Sequence, residues 1–357
     1  MAKTINTFLG ANSAGGFASL YGEIEKVAPL RDMMVLKGGP GVGKSTFMRI
    51  LGTAASSAGL DVEYVWCSGD PDSLDAVIVP QAGTLAVDGT APHVVEPKYP
   101  PAVDRYLNFG MFYDVDALKA EAGEIVRLTN RCGKSYDAAY RCIAAKAQVE
   151  KGIREMMGAD ADIRKVEERT KSLVCREVKR GGGEDGKVTQ RFLGGITCMG
   201  ELWKEETINT LCGSVFELQD PYGFGRTAMR EALAEITSRG WNAICFMNPL
   251  EPETIDHIAV PGCGVAFVRT YGSLKFSNTE RRVRFQTATD AGRIRATRTR
   301  RRFSQRIADA LCEESAHSLA EAKEYHDELE AVYNPHVDFD GVAEMAERET
   351  RRMLKAI

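Results

Sequence analysis

Short unbroken apolar runs alternate with glycine-rich breaks in the early part of the chain. Residues 33–36 (MMVL) are apolar at every position, which suits a central strand buried on both faces. Residues 85–87 (LAV) form a second such run that ends on Asp88. Between the two, "KSTFMRILGTAASSAG" spaces its apolar residues for one face of a helix beginning near Lys44. Beyond His93 the period changes. Residues 114–130, 135–157, 159–174 and 302–333 carry apolar side chains at helical spacing with charged residues between them. Residues 175–190 (CREVKRGGGEDGKVTQ) lose periodicity around three adjacent glycines and read as a linker.

The pattern also repeats. "TFLGANSAGGF" (7–17) is echoed by "RFLGGITCMGEL" (191–202), and "GVGKSTFMR" by "GFGRTAMR". "DPDSLDAVIVP" (70–80) is echoed by "EPETIDHIAVP" (251–261). The offsets are 184, 182 or 181, and 181 residues, in one order along the chain. Such self-similarity predicts an α/β protein of two tandem units with appended helices. The units are expected over residues 1–174 and 191–357, joined by 175–190.

The first unit carries the chemistry. From Gly38 to Ser45, "GGPGVGKS" matches G-x-x-x-x-G-K-[ST], with a strand expected before it and a helix after it. This is the layout of a P-loop, so Gly38, Gly39, Pro40, Gly41, Val42, Gly43, Lys44, Ser45 and Thr46 are the expected nucleotide-binding residues. The glycines let the backbone wrap an anion, and the helix amino end points free amides at it. Lys44 is expected on the β- and γ-phosphates and Ser45 on Mg²⁺. Asp88, ending an apolar strand, is the first choice for the carboxylate that holds Mg²⁺ through water. Asp70, Asp72 and Asp75 compete, although Asp70 also suits a cap on the turn opened by Pro71.

The second unit's loop, "QDPYGFGRTAMR" (219–230), is degenerate. Asp220 replaces Gly38, Arg226 replaces Lys44, and Arg269 stands where the first unit has Asp88. Asp220 sets a negative charge where an anion should bind, and Pro221 removes an amide donor. This unit is expected to hydrolyse nothing. Arg226 or Arg269 is a candidate to reach across and stabilise γ-phosphate charge in the first site.

Bulk composition narrows the function classes. The 357 residues are 44% hydrophobic and 27% charged with a net charge of −4, which offers nucleic acid or anionic membrane no general attraction. No apolar run approaches the ~20 residues of a membrane helix, and the first residues lack a secretory signal, so a cytoplasmic protein is expected. The nine cysteines include no CxxC pair and show no zinc-ligand spacing; they read as scattered buried thiols. The five histidines form no HExxH, and His93 reads as structural. Ten arginines fall within 281–306, a density that suits either phosphates or acidic helices nearby.

With "GGPGVGKST", "CSGDPDSLDAVIVP", "VDGTAPH" and "PLEPETIDHIAVP" in view, the chain resembles a bacterial family of tandem P-loop ATPases of uncharacterised cellular role. The likeness spans most of the chain. In that family the second half also carries an intact loop, which is absent here at Asp220 and Arg226. The resemblance implies ATP binding and hydrolysis with Mg²⁺ as cofactor. The expectation is an ATPase driving a conformational or partner-binding cycle, with another protein or a second copy of the chain as partner. A small-molecule kinase and an ATP-gated nucleic-acid-binding protein acting through residues 281–306 are the alternatives. Missing N-K-x-D and LSGGQ segments weigh against GTP and against a transporter engine.

Overall fold

The computed structural model describes residues 2–26, 30–181, 184–272, 274–277 and 279–357. Its first half opens with β1 (Thr4–Thr7) and a hairpin of β2 (Gly10–Ser13) and β3 (Gly16–Ser19). It continues through β4 (Asp32–Lys37), α1 (Lys44–Ser57), β5 (Val62–Trp66), β6 (Leu74–Val79), β7 (Thr84–Asp88) and β8 (Asp104–Asn108). Helices α2 (Val115–Ala120), α3 (Ala122–Gly158) and α4 (Ile163–Glu177) follow.

The second half runs through the same series. It comprises β9 (Val188–Phe192), the hairpin β10 (Gly194–Thr197) and β11 (Gly200–Trp203), and a short α5 (Glu206–Leu211). Then come β12 (Ser214–Gln219), α6 (Arg226–Ser238), β13 (Ala243–Met247), β14 (Ile255–Val260), β15 (Val265–Thr270) and β16 (Thr279–Arg284). It ends with α7 (Ala291–Ala296), α8 (Arg298–Tyr333) and α9 (Phe339–Lys355).

The expected α/β architecture is present as two six-stranded mixed sheets flanked by helices. Their strand orders are β1-β5-β6-β7-β4-β8 and β9-β13-β14-β15-β12-β16, one topology used twice. In each, only the third strand runs against its neighbours. β6 (LDAVIV) and β14 (IDHIAV) are buried at all six positions, which explains why their apolar runs do not alternate. Each carries one aspartate into the interior, Asp75 and Asp256.

The sheets meet edge to edge beside β1 and β9. Phe8 and Phe192, equivalent positions of the repeat, exchange both backbone hydrogen bonds (2.9 and 2.8 Å), so a pseudo-twofold axis passes between them. Pairing there closes part of two edges that would otherwise recruit other strands. A buried ion pair seals the join: Arg191 grips Glu63 (2.5 Å), whose carboxylate also accepts from the Thr7 hydroxyl (2.7 Å).

The long helices cross this axis. α3, 37 residues and about 55 Å at 1.5 Å per residue, lies antiparallel to α8, as the pairs Arg127–Glu328, Ser135–Glu321 and Met157–Thr297 show. Each half thereby delivers its last helix to the other. α4 lays Val166, Leu173 and Val174 against Met229, Ala232 and Ile236 of α6. α9 lays Val342, Met345 and Ala346 against Phe47, Met48 and Leu51 of α1. Arg105 of β8 fixes α9 further by gripping both Asp32 and Glu349. The series of elements thus repeats in chain order, while α4 and α9 pack on each other's half. Within 175–190, α4 extends to Glu177, and Gly181 and Gly186 donate to the carbonyls of Arg239 and Thr237. The described part of this linker is thus strapped to the second unit, and residues 182–183 lie outside the described residues.

His257 on β14 is 1% exposed, with neither ring nitrogen hydrogen-bonded and Phe246 and Phe276 beside it. Burial, helped by the charge of Arg269, lowers its pKa from 6.5 to about 3. The folded chain keeps the ring neutral while the unfolded chain takes up the proton. Stability is therefore full above the ordinary histidine value and is lost as pH falls from there towards the folded one. We expect His257→Phe to remove about 2 kcal/mol of the acid-induced loss at about pH 5, measured by urea unfolding at pH 7 and pH 5. An unchanged difference between the two pH values would count against it.

Candidate functional site

The first glycine-rich loop leaves β4 at Lys37 and enters α1 at Lys44. Gly41 (φ 69°) and Gly43 (φ 88°) take left-handed backbone that other residues avoid. At Gly38 the constraint is space, since an added Cβ would sit 2.7 Å from the Cβ of Phe109. No side chain caps the amino end of α1, so its first-turn amides face the loop without a built-in acceptor. The Lys44 ammonium donates to the carbonyls of Gly38 and Gly39 (both 2.8 Å) and lies 3.5 Å from Asp88 Oδ2. Asp88 Oδ1 accepts from the Thr90 amide (2.8 Å) and hydroxyl (2.6 Å), which holds the carboxylate in that orientation. The Ser45 hydroxyl oxygen accepts from the Leu74 amide (3.0 Å), tying α1 to the start of β6.

The structure thus brings Lys44, the loop and Asp88 together. Asp70 accepts from the Asp72 amide and the Ser73 hydroxyl, the turn-capping role that its sequence context allowed. Asp75 points inward, to Tyr21 and His93.

The equivalent place in the second half is filled by the chain itself. Asp220 Oδ1 accepts from the Phe224 amide (2.7 Å) and Oδ2 from the Gly225 amide (2.8 Å). These are amides of the degenerate loop, so the carboxylate takes the position of an anion held there. Arg269 completes the arrangement, reaching Asp220 (2.9 Å) on one side and Asp256 (2.8 Å) on the other. All three side chains are buried. Asp220 therefore satisfies its loop rather than only repelling a ligand, which corrects the purely repulsive reading of that substitution.

Arg226 and Arg269, the candidates to reach the first site, both find partners in their own half. Arg226 ion-pairs with Glu251 of its own half, and Arg269 is held between two aspartates. Burial, with Arg154 and Arg269 nearby, lowers the Arg226 pKa to about 10.

What does cross between the halves is the end of each long helix. Glu330 of α8 accepts from the Gly41 amide (3.2 Å), and Tyr333 stacks obliquely on Tyr113, whose hydroxyl donates to the Pro40 carbonyl (3.0 Å). In the repeat, the counterpart of Glu330 is Arg154 of α3. It lies over Gly223 of the second loop and pairs with Glu251 (2.6 Å). The visiting charge is thus opposite in the two sites. A hydrogen bond from His326, together with the Gly41 amide, holds the Glu330 carboxyl below the usual range, so it sits on the loop as an anion. Sequence reasoning missed Glu330 because it lies on a charged helix face far from the loop in the chain.

The arginines of 281–306 spread over the edge strand β16, the short α7 and the start of α8. Arg282 pairs with Glu217 and Arg293 with Asp160, whereas Arg281, Arg284, Arg300 and Arg302 are exposed. Among the described residues no helix is long and apolar enough to cross a membrane. No family model, curated protein or solved structure matches the chain.

Proposed function

We propose that this chain is a Mg²⁺-dependent ATPase of the P-loop class with one nucleotide site, in its first half. The observation that carries the reading is the contrast between two topologically equivalent loops. One keeps Lys44 facing Asp88, and the other has its own loop amides taken by Asp220, which Arg269 neutralises. The first set of residues fits a nucleotide phosphate in chemistry. Loop amides and Lys44 would hold the phosphate oxygens, and Ser45 and Asp88 would hold Mg²⁺. The metal would supply charge neutralisation on the β- and γ-oxygens. Hydrolysis would be read out through α8 and α9, since both rest on the loop and on α1.

Equilibrium dialysis with labelled ATP and Mg²⁺ tests this, paired with phosphate release. One equivalent per chain with turnover supports it; no binding, or two equivalents, refutes it. The exposed arginines favour a second reading, in which nucleic acid gates the site. Turnover raised by single-stranded DNA and lost steeply with salt would favour it.

On the proposed site, Glu330 competes with phosphate for the Gly41 amide. Glu330→Gln is expected to tighten ATP binding about tenfold, the lower end of what a charged hydrogen bond contributes. Fluorescence titration with an ATP analogue measures it, and unchanged or weaker binding would show that the contact does not compete.

A further inference from the structure

We infer that the first half holds a second, separate site, for a borderline-soft divalent cation of the Zn²⁺ class, on Cys67, Asp75 and His93. The inference does not rest on nucleotide binding. Cys67 follows the last residue of β5, Asp75 is the second residue of β6, and His93 lies in the connection after β7. β6 runs against its neighbours, so these three points come to one end of the sheet. One ligand atom from each residue lies within 4.8 Å of the others. Asp75 and His93 are 4% and 8% exposed, and Cys67 is half-buried.

Several observations point to a ligand rather than to a closed network. The buried Nδ1 of His93 has no hydrogen-bond partner, and its Nε2 lies 3.5 Å from Asp75 Oδ1. Tyr21 donates to the other oxygen, Oδ2 (2.7 Å), the outer contact that orients a ligating carboxylate while Oδ1 faces His93. The repeat supplies an internal comparison. Asp256, the counterpart of Asp75, receives the Arg269 guanidinium on Oδ1 (2.8 Å) and the Asn248 amide on Oδ2 (2.9 Å), with the Tyr271 hydroxyl beside it. The second half therefore brings its own cation to this aspartate. In the first half the arginine is replaced by Asp88 and the asparagine by Cys67, and among the described residues the only ion-pair partner of Asp75 is His93. A buried carboxylate next to a thiol and an imidazole, with a second carboxylate nearby, calls for positive charge.

Thiolate, carboxylate and neutral imidazole form a three-ligand S, O, N set that suits tetrahedral Zn²⁺ and leaves a fourth position for water. Binding releases the Cys67 thiol proton to solvent, and the dication balances two ligand charges. The bound ion would pin the 89–93 connection, which includes Thr90, the residue that orients Asp88.

The test uses the full chain, stripped with chelator and titrated with Co²⁺. The expected result is tetrahedral d–d absorption with a thiolate-to-cobalt charge-transfer band, saturating at one metal per chain and displaced by Zn²⁺. Cys67→Ser should abolish the band while Cys312→Ser keeps it. Tyr21→Phe should keep the band but weaken affinity about 10- to 100-fold, as loss of an outer contact does. X-ray absorption of the Zn²⁺-loaded wild type should show one sulfur among nitrogen and oxygen neighbours, a result that needs no variant to fold. Absence of saturable binding, a sulfur-free first shell, or a band that survives Cys67→Ser overturns the proposal.

Discussion

Replacing Lys44 by alanine is expected to lower ATP turnover by about 100- to 1,000-fold, the range for losing one aligned donor to developing transition-state charge. The Lys44 ammonium spans the Gly38 and Gly39 carbonyls and faces Asp88. Its removal would take away the proposed phosphate contact and also the clasp on the Gly38 and Gly39 carbonyls. The fold should survive, because α1 is anchored elsewhere, by Phe47, Met48 and Leu51 against α9. Lys44→Arg should not restore activity. A guanidinium is broader than an ammonium, and at the equivalent position of the second loop Arg226 pairs with Glu251. Steady-state phosphate release, with circular dichroism as the folding control, checks both variants. Turnover within threefold of wild type for Lys44→Ala would remove the loop from the mechanism.

The tandem organisation is legible in the chain because strands with two buried faces must be written as apolar runs. Two such runs at one offset, β6 and β14, mark one architecture. Their direction is not legible, since an apolar run looks the same in parallel and antiparallel company. The exchange of α4 and α9 is hidden for a related reason. An amphipathic stripe states that a helix must be covered, not which half covers it. At the first loop, the glycine-rich spacing singles out Lys44 and the apolar run ending on a carboxylate singles out Asp88, and the fold sets the two 3.5 Å apart. Asp220 and Arg269 each look like damage when read alone, and only the fold, which sets them 2.9 Å apart, turns two losses into one ion pair. The grouping of Cys67, Asp75 and His93 is not legible because no short motif joins them; an antiparallel strand does.

Arg269→Met is expected to destabilise the chain by about 3–5 kcal/mol, the cost of leaving a buried charge without its partner. The arginine is 4% exposed and neutralises two aspartates that are themselves buried, so its loss strands both. Surface pairs give no guide here. Lys119–Asp116, exposed at both ends, should contribute under about 1 kcal/mol. The deficit in Arg269→Met should shrink as pH falls into the carboxylate range. Burial already raises the folded pKa of Asp256, and losing the guanidinium that opposes this raises it further above the unfolded value, so protonation favours the folded chain. Pairing the change with Asp220→Asn should recover part of the loss at pH 7, because the amide oxygen still accepts from one of the two loop amides and no charge is stranded there. Urea unfolding of the single and double variants at pH 7 and pH 4.5 measures all of this. A loss below about 1 kcal/mol for Arg269→Met would mean that the second loop is not held shut by this triad, and the contrast between the two loops would lose its physical basis.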